Sequence, residues 1–254
     1  MSQQSETGRP ESGFSHRRTI ERFSQEQVAE KYPSAFGSSL RGRLEERSIL
    51  RALKNLSSGD SILDLPCGTG RLTPLLLRRG LRITGADCSP PMVQQARENW
   101  LALRSKYPDS NARVAFEVRD VMETGFADGQ FDAVICHRLF HHFNESETRV
   151  RALTELGRIC SGPLIVSFFN SFAIDAVRFR LRHRLRGTIP RDRIPIPMPV
   201  FLDDVARAGL EIQQTVPVLW GVSPLWIVVA QCPPGAPHSG DIQPAGHDPN
   251  VRAA

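Results

Sequence analysis

The sequence predicts an α/β protein built on a doubly wound, mostly parallel seven-stranded sheet that closes in an antiparallel edge hairpin. Three observations carry that prediction. Short apolar runs recur along the chain, each long enough for a strand buried on both faces. Helical segments with start signals separate the first five runs, which is the spacing of right-handed parallel crossovers. The last two runs stand too close together for a crossover and must pair antiparallel.

Composition agrees with such a domain. With 254 residues, 40% hydrophobic and 23% charged, the chain can bury a sizeable core, and wholesale disorder is excluded. No apolar run approaches the roughly 20 residues of a membrane span. The opening MSQQSETGRPESGFSHRR lacks the apolar centre of a secretory signal. Cys67, Cys88, Cys136, Cys160 and Cys232 are scattered singly, so neither a disulfide framework nor a C-x-x-C zinc site is available, and a cytoplasmic location is expected. The net charge of +5 is mild and carried almost wholly by arginine; nucleic-acid binding needs clustering as well as sign, and one arginine cluster exists, within 172–187.

Residues 1–18 are polar without an apolar period and read as a loose tail. Residues 19–60 read as N-terminal helices. Ser24 and Gln27 have a capping-box spacing ahead of Val28 and Ala29, and Leu40, Leu44, Leu50, Leu53 and Leu56 fall near a helical stripe. The core spans 61–232. Its strands are expected at SILDL (61–65), LRITGA (81–86), VAFEV (114–118), FDAVIC (131–136) and LIVSFF (164–169). A glycine-bearing turn leads into a helix near Arg71, and Ser89 with Pro90 caps a helix running to about Ser105. Asn144 and Glu147 have the capping form before Val150, Leu153, Leu156 and Ile159. Regularity lapses over 170–200, read as a lid insertion whose segment 189–200 is too proline-rich to be regular. A helix at 201–209 and strands at 211–218 and 226–231 follow. Residues 233–254, rich in Pro and Gly, read as a disordered tail.

The chemistry concentrates in SILDLPCGTGRLTPLLLRRGLRITGADCSPPM (61–92). The first strand ends at Asp64, the turn carries Gly68 and Gly70, and the second strand ends at Asp87, 19 residues past Gly68. Glycines let a ligand lie against the backbone at the carboxyl ends of parallel strands, and a carboxylate at that offset can accept both hydroxyls of a ribose. A dinucleotide site wants a third glycine where this chain has Thr73. Asp64 at the loop entrance would repel a phosphate but attract an ammonium or sulfonium group. That pattern suits S-adenosylmethionine.

LDLPCGTGR (63–71), GADCSPPM (85–92), VRDV (118–121) and FDAVICHRLFHHF (131–143) together resemble the successive motifs of class I S-adenosylmethionine-dependent methyltransferases, of the small-molecule type that includes quinone-biosynthesis enzymes. The resemblance covers roughly residues 45–231 and implies a Rossmann-like methyltransferase fold. It implies that Asp64 and the backbone at Cys67, Gly68 and Gly70 hold the methionine moiety and that Asp87 binds the ribose. Cys88 and Met92 would lie against the adenine, Asp120 would meet its amino group with Val121 beside it, and His137 would lie close to the methyl donor. The family usually has glycine where this chain has Pro66, which removes one backbone donor and stiffens the loop.

Plainer readings stand beside these. Asp64 could cap its loop, Asp120 could start a turn, and Cys67 reads as a small packing residue. His137, His141 and His142 invite a metal, but no Cys or carboxylate at a standard spacing completes a set, so none is expected. His137 and His141 are the candidates for a general base. FAIDAVRFRLRHRLRG (172–187) interleaves apolar residues at near-helical spacing with arginines. It reads either as a solvated helix or as a substrate lid whose Arg178, Arg182 and Arg186 attract an anionic molecule, with weak membrane-surface contact as a further expectation.

The expectation is an S-adenosylmethionine-dependent methyltransferase acting on a small-molecule or lipid-like, anionic acceptor. The rivals are a non-catalytic S-adenosylmethionine-binding protein that recruits a partner through its arginine-rich helix, a nicotinamide oxidoreductase, and an RNA methyltransferase. The last is disfavoured because no N-P-P-Y-type sequence follows the fourth strand and aromatics make up only 7%, leaving few stacking platforms.

Overall fold

The computed structural model describes residues 14–23, 39–107, 113–187 and 194–231. Strands β1 (Ser61–Asp64), β2 (Arg82–Asp87), β3 (Val114–Val118), β4 (Ala133–Cys136), β5 (Leu164–Phe169), β6 (Glu211–Pro217) and β7 (Leu225–Gln231) make one sheet in the order β3-β2-β1-β4-β5-β7-β6. The first five are parallel. β7 inserts between β5 and β6 and runs antiparallel to both, so the expected edge hairpin is present. The order of winding reverses between β1 and β4, which opens a crevice beyond their carboxyl ends.

Successive residues of a strand face opposite sides, and the buried runs feed two cores at once. Ile62, Ile83, Ile135, Ile165 and Val229 lie on one face. They pack with α2 (Leu40–Ala52), α3 (Thr73–Arg78) and α4 (Pro90–Leu103), through Ile49, Leu76 and Val93. Leu63, Val134, Val166 and Val228 turn to the other face and meet α5 (Ser146–Arg158) and α7 (Met198–Arg207), through Leu153, Leu156, Phe201 and Val205. Because β1 and β4 are covered on both sides, their carboxyl ends are held rigidly, and the residues just beyond them inherit that rigidity.

Local signals explain several helix starts. Ser89 caps α4, its hydroxyl accepting from the Met92 N–H at 3.3 Å, with prolines in the first turn. Other expectations need correction. The segment read as a loose tail to residue 18 is helical from its end: α1 spans Phe14–Phe23. Tertiary polar contacts hold it, with the Ser15 hydroxyl bonded to Glu145 and the Asn144 N–H donating to Ser15 at 3.3 Å. Asn144 is therefore not the cap of α5. Glu145 occupies that position without a side-chain cap. In α2 the leucine stripe is off by part of a turn: Leu40 is exposed, while Gly42, Glu45, Ser48 and Ile49 face inward. α7 begins at Met198, inside the proline-rich stretch, because Pro199 sits in the first turn where no N–H is needed. The capping form at Ser24, the tail 233–254 and part of the lid (188–193) lie outside the described residues. Within the lid, α6 (Ile174–Leu185) buries only Ala176. Among the described residues no helix is long and apolar enough to cross a membrane.

Candidate functional site

A cavity of about 380 Å³ opens at the carboxyl ends of β1, β2 and β4. Its floor is the turn after β1 (Pro66 to Thr69), its sides are Asp87, Cys88 and Met92 after β2 and the 137–142 segment after β4, and Thr19 and Phe23 of α1 close it above. That volume lies within the roughly 300–1,000 Å³ of small-molecule and cofactor sites.

Asp64 terminates β1 on this cavity. It is buried, and among the described residues neither carboxylate oxygen has a hydrogen-bond partner. Burial pushes its carboxyl well above the ordinary carboxylate range; Arg71 opposes that rise and Asp87 adds to it. A buried, unpartnered acid is a costly feature unless a cationic or donor group arrives to meet it. Beside it, Gly68 has φ +53° and open space where a Cβ would lie, so a ligand can approach its backbone. Gly70 (φ +77°) plays a different part. A Cβ there would stand 3.4 Å from the Ala96 Cβ, so it serves the close approach of the turn to α4 and is not on the cavity wall.

Asp87 is buried on the wall with each oxygen already accepting one backbone N–H, from Gly68 at 3.0 Å and from Ser89 at 2.9 Å. A carboxylate oxygen has more than one acceptor site, so both can still take a hydroxyl. Burial raises this carboxyl too, against those backbone bonds, and pushes the Cys88 thiol up to about 12. Asp120 and Val121 are not in this cavity. They line a small adjoining crevice, where Asp120 pairs with His16 of α1 at 2.9 Å and accepts from the Met122 N–H at 2.8 Å.

The far end of the cavity is charged, and sequence reasoning missed most of it. Glu45, on the inward face of α2, accepts from Arg71 Nη2 at 2.9 Å and bonds His137 Nε2 at 2.7 Å. Arg138 grips it through Nε at 2.9 Å and Nη2 at 2.6 Å. Burial would raise the Glu45 carboxyl, but the bonds from His137 and Arg138 hold it well below the usual range. Burial lowers His137 to about 4, against Glu45 and with the repulsion of Arg71 and Arg138. A neutral His137 therefore donates its Nε2–H to Glu45, which leaves Nδ1 as the acceptor nitrogen. Arg138 has φ +64°, the single non-glycine positive φ among the described residues, and its N–H donates to Ser167 Oγ at 2.8 Å.

His141 is buried on the same cavity and lies flat against Phe169, ring centroids 4.0 Å apart at 4°. Phe169 also borders a second cavity of about 500 Å³ under α6, which shares Arg138 with the first. Among the described residues, Arg41, Arg138, Arg178 and Arg182 stand on its wall against Glu45 and Asp175, with Phe179, Val218 and Leu225 supplying apolar surface. Arg186 is exposed and not on that wall. Among the described residues no group of three His, Cys, Asp or Glu side chains is placed to hold a metal ion.

Known proteins resemble this chain in sequence and in fold. Residues 62–161 match a family described as a methyltransferase domain. A ubiquinone biosynthesis O-methyltransferase of Xanthomonas oryzae pv. oryzae is 30% identical over 138 residues, 52% of this chain and 54% of that one. The chain thus spans about half the length of such curated relatives. A magnesium-protoporphyrin O-methyltransferase of Rhodobacter capsulatus is 28% identical over 169 residues, 65% of this chain and 69% of that one. Among solved structures, magnesium protoporphyrin IX methyltransferase from Synechocystis PCC 6803 with bound SAH superposes with a TM-score of 0.58 at 19% identity, over 88% of this chain and 95% of that one. At that identity the likeness is one of fold.

Proposed function

We propose that the chain is a class I S-adenosylmethionine-dependent methyltransferase, which binds S-adenosylmethionine in the cavity over the β1 turn and methylates a small-molecule acceptor. The observation that carries this reading is Asp64, a buried acid without a hydrogen-bond partner among the described residues, on a cavity wall beside an open glycine backbone. Asp64 would take the ammonium group, the Gly68 backbone the methionine end, and Asp87 the ribose hydroxyls, with Cys88 and Met92 against the base. When bound, the sulfonium supplies a methyl group open to in-line displacement. The residues of this chain orient the two reactants and keep water out, which can contribute ~7–11 kcal/mol.

The acceptor belongs in the second cavity, whose four arginines against two carboxylates favour an anionic molecule and whose aromatic and aliphatic wall favours one with apolar or lipid-like character. Of the two histidines, His141 is the better placed to take a proton, because His137 is already committed to Glu45 and His141 stands at the partition between the cavities. The test is calorimetry with S-adenosylmethionine, followed by incubation with methyl-labelled cofactor and a panel of small acids. One-to-one binding and a labelled acidic product are expected, and His141→Ala should lower kcat by ~10²–10⁴-fold with cofactor affinity unchanged. Binding without any labelled product would leave only a cofactor-binding protein.

A further inference from the structure

We propose that the outward face of α6, together with the tip of the β6–β7 turn, docks onto an anionic lipid bilayer. Ile174, Val177, Leu181 and Leu185 recur at helical spacing along α6 and are 47%, 47%, 54% and 79% exposed. Phe172 and Trp220, 70% and 78% exposed, extend the apolar surface at the helix start. The Ile174 N–H donates to the Gly221 carbonyl at 2.9 Å and the Asp175 N–H to the Val222 carbonyl at 3.2 Å, which pins the turn carrying Trp220 against α6. A run of large apolar side chains left in water at one edge of a domain marks a contact surface.

Charge selects the occupant. At 100° per residue, Arg178, Arg182 and Arg186 follow one side of the stripe and Arg180 and Arg184 the other. Asp175 is the single acid of the helix, and Arg41 already holds it at 2.5 Å. An apolar stripe with cations along both edges and a tryptophan at one end matches the boundary of an anionic bilayer, with the aliphatic groups among the acyl chains and the guanidinium groups among the phosphates. One amphipathic helix alone binds bilayers marginally, and the arginine rows and Trp220 supply the second signal that stable docking needs. A protein partner would have to present an apolar ridge with acids along both flanks. Phe179 on the inner side of α6, with Arg178 and Arg182 at the border of the stripe, meanwhile lines the second cavity, so docking sets the mouth of that cavity at the lipid surface.

The inference stands apart from the cofactor reading, and so does its test. The full chain is sedimented with vesicles of phosphatidylcholine alone and of phosphatidylcholine with phosphatidylglycerol, at low and high salt. Binding to the anionic vesicles, weakened about tenfold by salt, is expected, with a blue shift of Trp emission that Trp220→Phe abolishes. Val177→Asp with Leu181→Asp, and separately Arg184→Glu with Arg186→Glu, should each lower vesicle binding about tenfold while circular dichroism and cofactor affinity in solution stay unchanged. Equal or absent binding to the two vesicle types, or undiminished binding by both double variants, overturns the proposal. So does a concentration-dependent dimer that the Val177 and Leu181 variant dissolves, because the face would then belong to a second copy of the chain.

Discussion

At the scale of single residues, the two acids of the cavity wall have opposite relations to stability. Asp64 has no hydrogen-bond partner among the described residues, whereas Asp87 ties the turn after β1 to the start of α4 by accepting from Gly68 and Ser89. Asp64→Asn should therefore raise the melting temperature of the free protein, by ~2–4 °C for each kcal/mol recovered, and at the same time weaken S-adenosylmethionine by the ~1.5–3 kcal/mol of a charge-assisted bond, ~10- to 150-fold in Kd. Asp87→Ala should weaken the cofactor by a similar factor but lower the melting temperature, because two backbone donors lose their acceptor. Thermal scans and calorimetry on the two variants check both signs. A stabilised, weakly binding Asp64 variant is what a ligand-facing acid gives; an acid that only capped its loop would lose stability and leave affinity alone.

At the scale of elements, α1 is the part that lies over the cavity. It closes the cavity with Thr19 and Phe23, and it is held at several points. The Ser89 hydroxyl donates to the Phe23 carbonyl at 2.6 Å, His16 pairs with Asp120 at 2.9 Å, and Phe23 meets the His142 ring edge-on at 5.5 Å. Phe23→Ala removes one aromatic contact of the roof, so stopped-flow release of the cofactor should quicken about tenfold with little change in association. Why α1 was not legible in the sequence follows from the same contacts: its partners lie far along the chain, and its apolar residues are few, Phe14, Ile20 and Phe23 among three arginines. The strands were legible because buried parallel strands must be apolar on both faces, and α4 because Ser89 and the prolines act within one turn. Asp64, Cys67, Gly68, Asp87, Cys88, Met92, His137 and His141 could be picked out because they sit at strand ends or in the turns and helix start just beyond them. Glu45 and Arg138 could not, since their contact joins residues 93 apart in the chain. The clue available was an acid at a position of α2 whose neighbours at i+3 and i+4, Ser48 and Ile49, face the core.

At the scale of the whole molecule, buried titrating groups of opposite tendency shape how stability responds to pH. His137, lowered from 6.5 to about 4, stays neutral in the fold while the unfolded ring takes a proton. Its contribution is present above pH 6.5 and is lost as pH falls from 6.5 towards 4. Asp64 runs the other way. Its raised carboxyl keeps a proton that the unfolded chain releases above 3.8, so its contribution is full below that value and is lost as pH rises. Over the same interval the two slopes oppose each other, each at most ~1.4 kcal/mol per pH unit. Asp87, raised as well, adds to the Asp64 side, while the depressed Glu45 carboxyl weighs only below its ordinary 4.5. Urea unfolding between pH 4 and 6.5 should accordingly show a shallow dependence for the wild type. Asp64→Asn should expose a loss of stability on acidification, and His137→Gln a gain relative to the wild-type curve. His137→Gln also breaks the bond to Glu45 and lowers stability at every pH, so the slope and not the height is the readout. Parallel curves for wild type and both variants would mean that neither group changes its protonation on folding, and that the charged end of the cavity is wetter than the buried Glu45, His137 and Arg71 cluster implies.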